Sequence, residues 1–113
     1  MNYYMKENKL ISIVIPCFNE SQNIQRIPIS LDKALKPNNI EYEIIYVDNG
    51  GKDNQLSEML LVQENYEKNI TIVSLSRNFG YQGAIRAGLD YINGDGVVFL
   101  DADLQDPPEI IVQ

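Results

Sequence analysis

Apolar residues in this chain fall into short β-type runs separated by stretches with helical spacing. Leu10-Ile11-Ser12-Ile13-Val14-Ile15 is near-continuous and rich in β-branched residues, so it reads as a first strand buried on both faces. It ends at Pro16. In the polar loop Cys17-Phe18-Asn19-Glu20-Ser21, Asn19 or Ser21 is suited to cap a helix. That helix is predicted over residues 22–36, with Pro28 inside it as a kink or restart, and Pro37-Asn38-Asn39 closes it. Glu41-Tyr42-Glu43-Ile44-Ile45-Tyr46-Val47 is the second strand, running into Asp48 and the turn Asn49-Gly50-Gly51-Lys52-Asp53. A helix over residues 54–66 follows, with Leu56, Met59, Leu60 and Gln63 along one face and the apolar ones among them read as core.

Ile70-Thr71-Ile72-Val73-Ser74-Leu75 is the third strand, ending at Ser76-Arg77-Asn78-Phe79-Gly80. The third helix is predicted over residues 81–93, with Gly94 as its C-terminal cap. Gly83 and Gly88 weaken it intrinsically, so either they allow close packing on the sheet or the helix is short. Gly96-Val97-Val98-Phe99-Leu100 reads as a fourth strand, also buried on both faces. It stops at Asp101-Ala102-Asp103-Leu104-Gln105-Asp106. Pro107-Pro108-Glu109 then opens a helix that Asp106 is placed to cap.

This β-α-β-α-β-α-β order, with long connections and no hairpin signals, predicts an α/β fold. The expected architecture is an open, mostly parallel sheet with helices on both faces, half of a Rossmann-like arrangement. Right-handed crossovers bring every strand's C-terminal end to one edge. Residues 16–20, 48–53, 76–80 and 101–105 therefore meet there, at the edge where such sheets bind ligands.

Composition narrows the class. With 113 residues the chain is a single domain, and its 44% hydrophobic content fits a globular protein. Residues 1–9 read as a tail without the apolar centre of a signal peptide, and residues 10–113 as the folded part. No apolar run approaches membrane-spanning length. A formal charge of −7, from 9 basic and 16 acidic residues, argues against nucleic acid as a partner. The absence of histidine removes zinc–histidine chemistry. The one cysteine, Cys17, excludes an internal disulfide and reads as a small buried hydrophobe.

The acidic turn after the fourth strand carries the candidate chemistry. Asp101 and Asp103, one residue apart in extended backbone, point the same way, and carboxylates there need solvent, a cation or a capping role. A hard divalent cation, Mg²⁺ or Mn²⁺, would satisfy them together with the amide oxygen of Gln105; a solvated, helix-capping turn is the alternative. The turn after the first strand contains no glycine, so no dinucleotide or Walker-type phosphate loop is present. A bound nucleotide would need another handle for its diphosphate, and a metal at Asp103 and Gln105 would provide one.

Four stretches carry a resemblance: Ile13-Val14-Ile15-Pro16-Cys17-Phe18-Asn19-Glu20, Ile44-Ile45-Tyr46-Val47-Asp48-Asn49-Gly50, Leu75-Ser76-Arg77-Asn78-Phe79-Gly80 and Asp101-Ala102-Asp103-Leu104-Gln105-Asp106-Pro107-Pro108-Glu109. From Leu10 to Gln113 the chain resembles the family-2 inverting glycosyltransferases of GT-A fold. Within them it is most similar to the polyprenyl-phosphate glycosyltransferases, such as dolichol-phosphate mannose synthase and the undecaprenyl-phosphate glucosyltransferases. The most specific part is the pairing of the Ser76–Gly80 turn with the Asp101–Gln105 turn.

The resemblance implies a UDP- or GDP-sugar donor at the shared strand edge and a hexosyl transfer to an acceptor, a polyprenyl phosphate. Pro16, Phe18 and Glu20 would line the nucleotide pocket, Asp48 would contact the base, and Asp101 would lie near ribose and diphosphate. Asp101 and Asp103 are the catalytic candidates; Asp103 and Gln105 would hold Mg²⁺ or Mn²⁺. The family usually shows two acidic residues, then glycine and serine, after the second strand, whereas this chain has Asp48-Asn49-Gly50-Gly51. The acceptor-binding part of such enzymes follows the metal turn, so this chain is expected to be an N-terminal, donor-binding piece without turnover of its own. The full-length protein would then work at the cytoplasmic face of the membrane. A sheet edge left bare favours self-association.

Three further expectations concern single residues. Arg77 is read as paired with a nearby aspartate rather than with substrate, and Phe79 and Tyr81 as packing residues. A noncatalytic nucleotide-binding or structural module is the alternative, distinguished by binding without metal dependence or by no binding. A nucleotidyltransferase or aspartyl-phosphate phosphatase ranks third, because the loop after the first strand has neither the glycine- and arginine-rich character nor the nucleophilic aspartate these need.

Overall fold

The computed structural model describes residues 9–66 and 69–103. In chain order the elements are β1 (Leu10–Cys17), α1 (Ser21–Ile24), α2 (Arg26–Leu35), a 3₁₀ turn (Lys36–Asn38), β2 (Glu41–Asp48), α3 (Gln55–Asn65), β3 (Ile70–Ser74), α4 (Gly80–Leu89) and β4 (Gly96–Phe99). Gln105, Asp106 and the helix expected after Pro108 lie outside the described residues.

All four strands are parallel, in the spatial order β3-β2-β1-β4. From β1 to β3 the chain moves one way across the sheet, so its right-handed crossovers lay α1, α2 and α3 on one face. From β3 to β4 it returns past β2 and β1, and the same handedness places α4 on the other face. The switch in direction falls between β1 and β4.

Period-2 alternation supplies both faces. Ile11, Ile13, Ile15, Tyr42, Ile44 and Tyr46 pack with Ile24, Ile27, Leu31, Met59 and Val62 of the first helical layer. Val14, Ile45 and Val47 face Ala84 of α4 on the other side. Helix α4 is short and lies close: a Cβ on Gly88 would stand 2.5 Å from Val14 Cγ1 and 3.1 Å from Val47 Cγ2. Close packing on the sheet therefore holds for Gly88, whereas a Cβ on Gly83 would meet Phe79 Cβ at 2.8 Å.

Pro28 does restart the first helix. The break is at Gln25, and Pro28 occupies the first turn of α2, where a missing N–H is tolerated. In a continuous helix residue 28 would donate to Ile24 O. The Tyr46 hydroxyl donates to that carbonyl instead, at 2.9 Å, from the buried heart of β2.

Three local expectations are corrected. On α3 the buried residues are Gln55, Met59 and Val62, while Leu56 and Leu60 are exposed, because the Gln55 amide is drawn into the ends of β1 and β2 and sets the helix rotation. Gln63 instead donates to Ile70 O at 2.9 Å and holds the start of β3. Helix α4 ends at Leu89, and Gly94 is no cap; its N–H donates to Ser12 Oγ at 2.8 Å. The cause is the buried carboxylate of Glu43, which accepts from Ser12 Oγ and from the Asn93 backbone and side-chain N–H groups, pulling residues 93 and 94 onto the sheet. Finally, β4 is an edge strand among the described residues and is covered only in part: Val98 packs against one core cluster and Val97 against the other, while Phe99 is exposed.

Candidate functional site

Pro16 opens the site. Val14 O accepts from Leu100 N, so the even-numbered positions of β1 face β4, and Pro16 therefore turns its donor-less nitrogen toward that side. Pairing of β1 with β4 accordingly stops at Val14–Phe99, whereas pairing with β2 continues to Cys17–Asp48. Beyond this point, at the topological switch, lies a cavity of about 430 Å³.

Residues from all four strand ends line it: Pro16, Phe18 and Glu20 after β1, Asn49 after β2, Asn78 and Tyr81 after β3, and Asp101 and Asp103 after β4. Pro16, Phe18, Glu20, Asp101 and Asp103, five of the sequence candidates, thus meet on one wall. Asp48 does not line the cavity. It is buried behind the wall, where Oδ1 accepts from Gln55 Nε2 at 2.5 Å and Gly51 N at 3.3 Å, and Oδ2 accepts from Ser74 Oγ at 3.1 Å. Gln105 falls outside the described residues.

The loops are cross-braced. Gln55, fully buried, donates to Cys17 O at 3.1 Å and accepts from Glu20 N at 3.0 Å while holding Asp48. A side chain at Gly51 would collide with that amide, its Cβ 2.6 Å from Gln55 Nε2. Gly50, at φ +77°, runs so close to the next turn that a Cβ would stand 2.4 Å from the Arg77 carbonyl carbon. The double glycine is thus a contact between loops as well as a turn.

Asn19 does not cap α1. Held at φ 55°, it accepts from Lys52 N at 2.8 Å, and Asp53 takes the capping role by accepting from Ser21 N at 2.9 Å. Burial pushes the Asp53 carboxyl up, but the backbone N–H groups of Ser21 and Gln55 outweigh it and hold the group below its ordinary range.

Electrostatically the wall is acidic. Glu20, Asp101 and Asp103 line it, and no lysine or arginine does among the described residues. The Arg77 guanidinium lies 4.4 Å from the Phe79 ring centroid, and among the described residues it pairs with no aspartate, against expectation. Phe79 is exposed and Tyr81 lines the cavity, so neither is a core residue. Burial first, then the carboxylates of Glu20, Asp48 and Asp53, push the Cys17 thiol far above its ordinary range, which excludes it as a nucleophile at neutral pH.

Sequence reasoning misses Gln55 altogether and names Asn49 and Asn78 only as members of the turns after β2 and β3, with no role assigned to either.

A carboxylate-walled ligand edge at the switch point of a parallel sheet, without a glycine phosphate loop, defines an α/β ligand-binding domain. Residues 12–112 match the family described as Glycosyl transferase family 2, and the chain belongs to it. It is 48% identical over 103 residues to an uncharacterized glycosyltransferase of Synechocystis, covering 89% of this chain and 31% of that protein. It is 41% identical over 106 residues to the undecaprenyl-phosphate 4-deoxy-4-formamido-L-arabinose transferase of Photorhabdus laumondii, covering 91% of this chain and 32% of that one. Among solved structures, a mannosyltransferase of Pyrobaculum calidifontis in complex with GDP-Man and Mn²⁺ superposes with a TM-score of 0.73 at 23% identity, covering 82% of this chain and 27% of that one, a likeness of fold. The chain spans about a third of the length of its curated relatives. No helix among the described residues is long and apolar enough to cross a membrane.

Proposed function

We propose that this chain is the donor-binding segment of a glycosyltransferase that moves a sugar from a UDP- or GDP-sugar to a polyprenyl phosphate at the cytoplasmic face of a membrane. The observation that carries the reading is the convergence of all four strand-end loops on one carboxylate-walled cavity. Relatives named as undecaprenyl-phosphate sugar transferases support the acceptor class.

In this reading Pro16 and Phe18 supply the apolar wall for the nucleoside, and Glu20 and Asp101 the acceptors for ribose hydroxyls. Asp48 acts from behind, fixing Gln55 and through it Glu20; base contact falls to the wall in front of it. A diphosphate beside Asp101 and Asp103 would meet like charge, because among the described residues no basic side chain lines the cavity with them.

The residues fit a hard divalent cation as a partial set. No group of three potential ligands of the His, Cys, Asp and Glu type occurs among the described residues, and Mg²⁺ and Mn²⁺ characteristically bind through one or two carboxylates with phosphate oxygens completing the shell. Asp103 would hold it, with Gln105 as the sequence indicates. When bound, the cation would offset negative charge building on the departing nucleoside diphosphate. The oxygen of a phosphate acceptor, with a second pKa of about 6, is already anionic near neutral pH and needs little general-base help.

The test is calorimetric titration of UDP and of GDP into the chain in the presence of Mn²⁺. Saturable binding of one of them, displaced by its sugar conjugate, is expected. Heat-silent titrations with both nucleotides would sink the reading in favour of a structural module.

A further inference from the structure

The carboxamide of Asn49 is oriented by a hydrogen bond that admits one arrangement. Phe79 N–H can only donate, and it reaches Asn49 Oδ1 at 3.0 Å. Asn49 Nδ2 must then donate, and it does so twice, to Asn78 Oδ1 and to Gly80 O, each at 3.2 Å. A second backbone donor fixes Asn78 in the same sense, because Gly80 N–H reaches Asn78 Oδ1 at 2.7 Å. The carbonyl end of Asn78 is thereby occupied from two sides. Its Nδ2 has no partner among the described residues, and the side chain lines the cavity.

The consequence is a neutral hydrogen-bond donor on a wall otherwise supplied with the carboxylates of Glu20, Asp101 and Asp103. An aspartate at position 49 could not make this arrangement. One carboxylate oxygen would still accept from Phe79 N–H, but the other, in the place of Nδ2, would stand against two acceptors, Asn78 Oδ1 and Gly80 O. Relief would require the Asn78 amide to flip, which leaves Gly80 N–H facing an NH₂ group and turns a carbonyl oxygen into the cavity. Asn49 is therefore wired to its surroundings through three hydrogen bonds.

We infer that Asn49 is a positioning residue that sets the polarity of Asn78, and that Asn78 Nδ2 donates to an oxygen of the bound nucleoside diphosphate. This rests on the donor-binding reading above. The ligand feature recognised is an acceptor oxygen, on phosphate or on the base; UMP and uridine compared with UDP separate the two sources.

The test is a double-mutant cycle read by calorimetry with UDP or GDP and Mn²⁺, on the wild type, Asn49→Asp, Asn78→Ala and the double variant. Each single substitution is expected to weaken binding about tenfold, the loss of one donor to an oxygen that carries or shares charge. In the Asn78→Ala background the Asn49→Asp change is expected to cost less than about threefold, because no amide is left to misorient. Equal costs in both backgrounds would overturn the inference and leave simple charge repulsion by the introduced carboxylate. An independent arm needs no nucleotide: in ¹⁵N–¹H spectra Asn49→Asp should move the Gly80 amide resonance upfield as its hydrogen bond is lost. An unmoved Gly80 resonance would overturn the orienting role. Absence of nucleotide binding by the wild type would instead remove the functional reading, and the spectral arm would still decide the orientation.

Discussion

Replacing Gln55 with leucine removes the brace between the loops that follow β1 and β2 while keeping the volume of the side chain. Two of the partners are backed up: Cys17 O also accepts from Asn49 N at 2.9 Å, and Asp48 Oδ1 also accepts from Gly51 N at 3.3 Å. Glu20 N–H has no such reserve, since its hydrogen bond is to Gln55 Oε1 at 3.0 Å. The cost is then one orphaned backbone donor, about 1–2 kcal/mol, plus a bond to a buried carboxylate, about 1.5–2 kcal/mol, for a total of about 3 kcal/mol. In a domain of this size that lowers Tm by roughly 10 °C. Thermal unfolding followed by circular dichroism measures it, and a fall of less than about 3 °C would refute the reasoning. Gln55→Glu sharpens the test. A carboxyl at 55 can donate to Asp48 only when protonated, so this variant's deficit against wild type should widen as pH rises from about 4 to about 7.

Two further outcomes follow from the packing. Burial pushes the Glu43 carboxyl up, but hydrogen bonds from Ser12 and from Asn93 outweigh it and leave Glu43 below its ordinary value. Its contribution is therefore complete above the unfolded-state pKa and lost as pH falls through the folded one, so Tm should drop more steeply below about pH 4.5 in wild type than in Glu43→Gln. Gly88→Ala improves helix propensity by about 1 kcal/mol, yet its Cβ meets the stiff side chains of Val14 and Val47. Net destabilisation of about 1 kcal/mol in urea unfolding is expected, with a gain in stability as the contrary result.

Strand positions and the common ligand edge are legible in the sequence because both follow from short apolar runs and the handedness of crossovers. The run at residues 10–15 and the acidic stop at Asp101 need no partner to be read. Helix faces are less legible. Leu56 and Leu60 have the spacing of a buried stripe, but a polar residue, Gln55, fixes the rotation of α3 through contacts 35 and 38 residues away in sequence. Spacing overestimates the reach of α4 for a similar reason, since Glu43 draws Asn93 across 50 residues. Side-chain wiring between loops has no period. That is why Asp48 reads as a ligand contact in sequence while its carboxylate faces Gln55 and Ser74, and why Asn49 reads as a departure while it braces the Asn78 turn.

The central claim is that the carboxylates after β4 are there for a cation-assisted diphosphate. The most direct measurement is the affinity of the preferred nucleoside diphosphate with Mn²⁺ and with EDTA, for wild type and Asp103→Ala. Binding that requires Mn²⁺ in the wild type and is lost in Asp103→Ala is the expected result. Equal affinity with EDTA, or an unchanged affinity in Asp103→Ala, would contradict it.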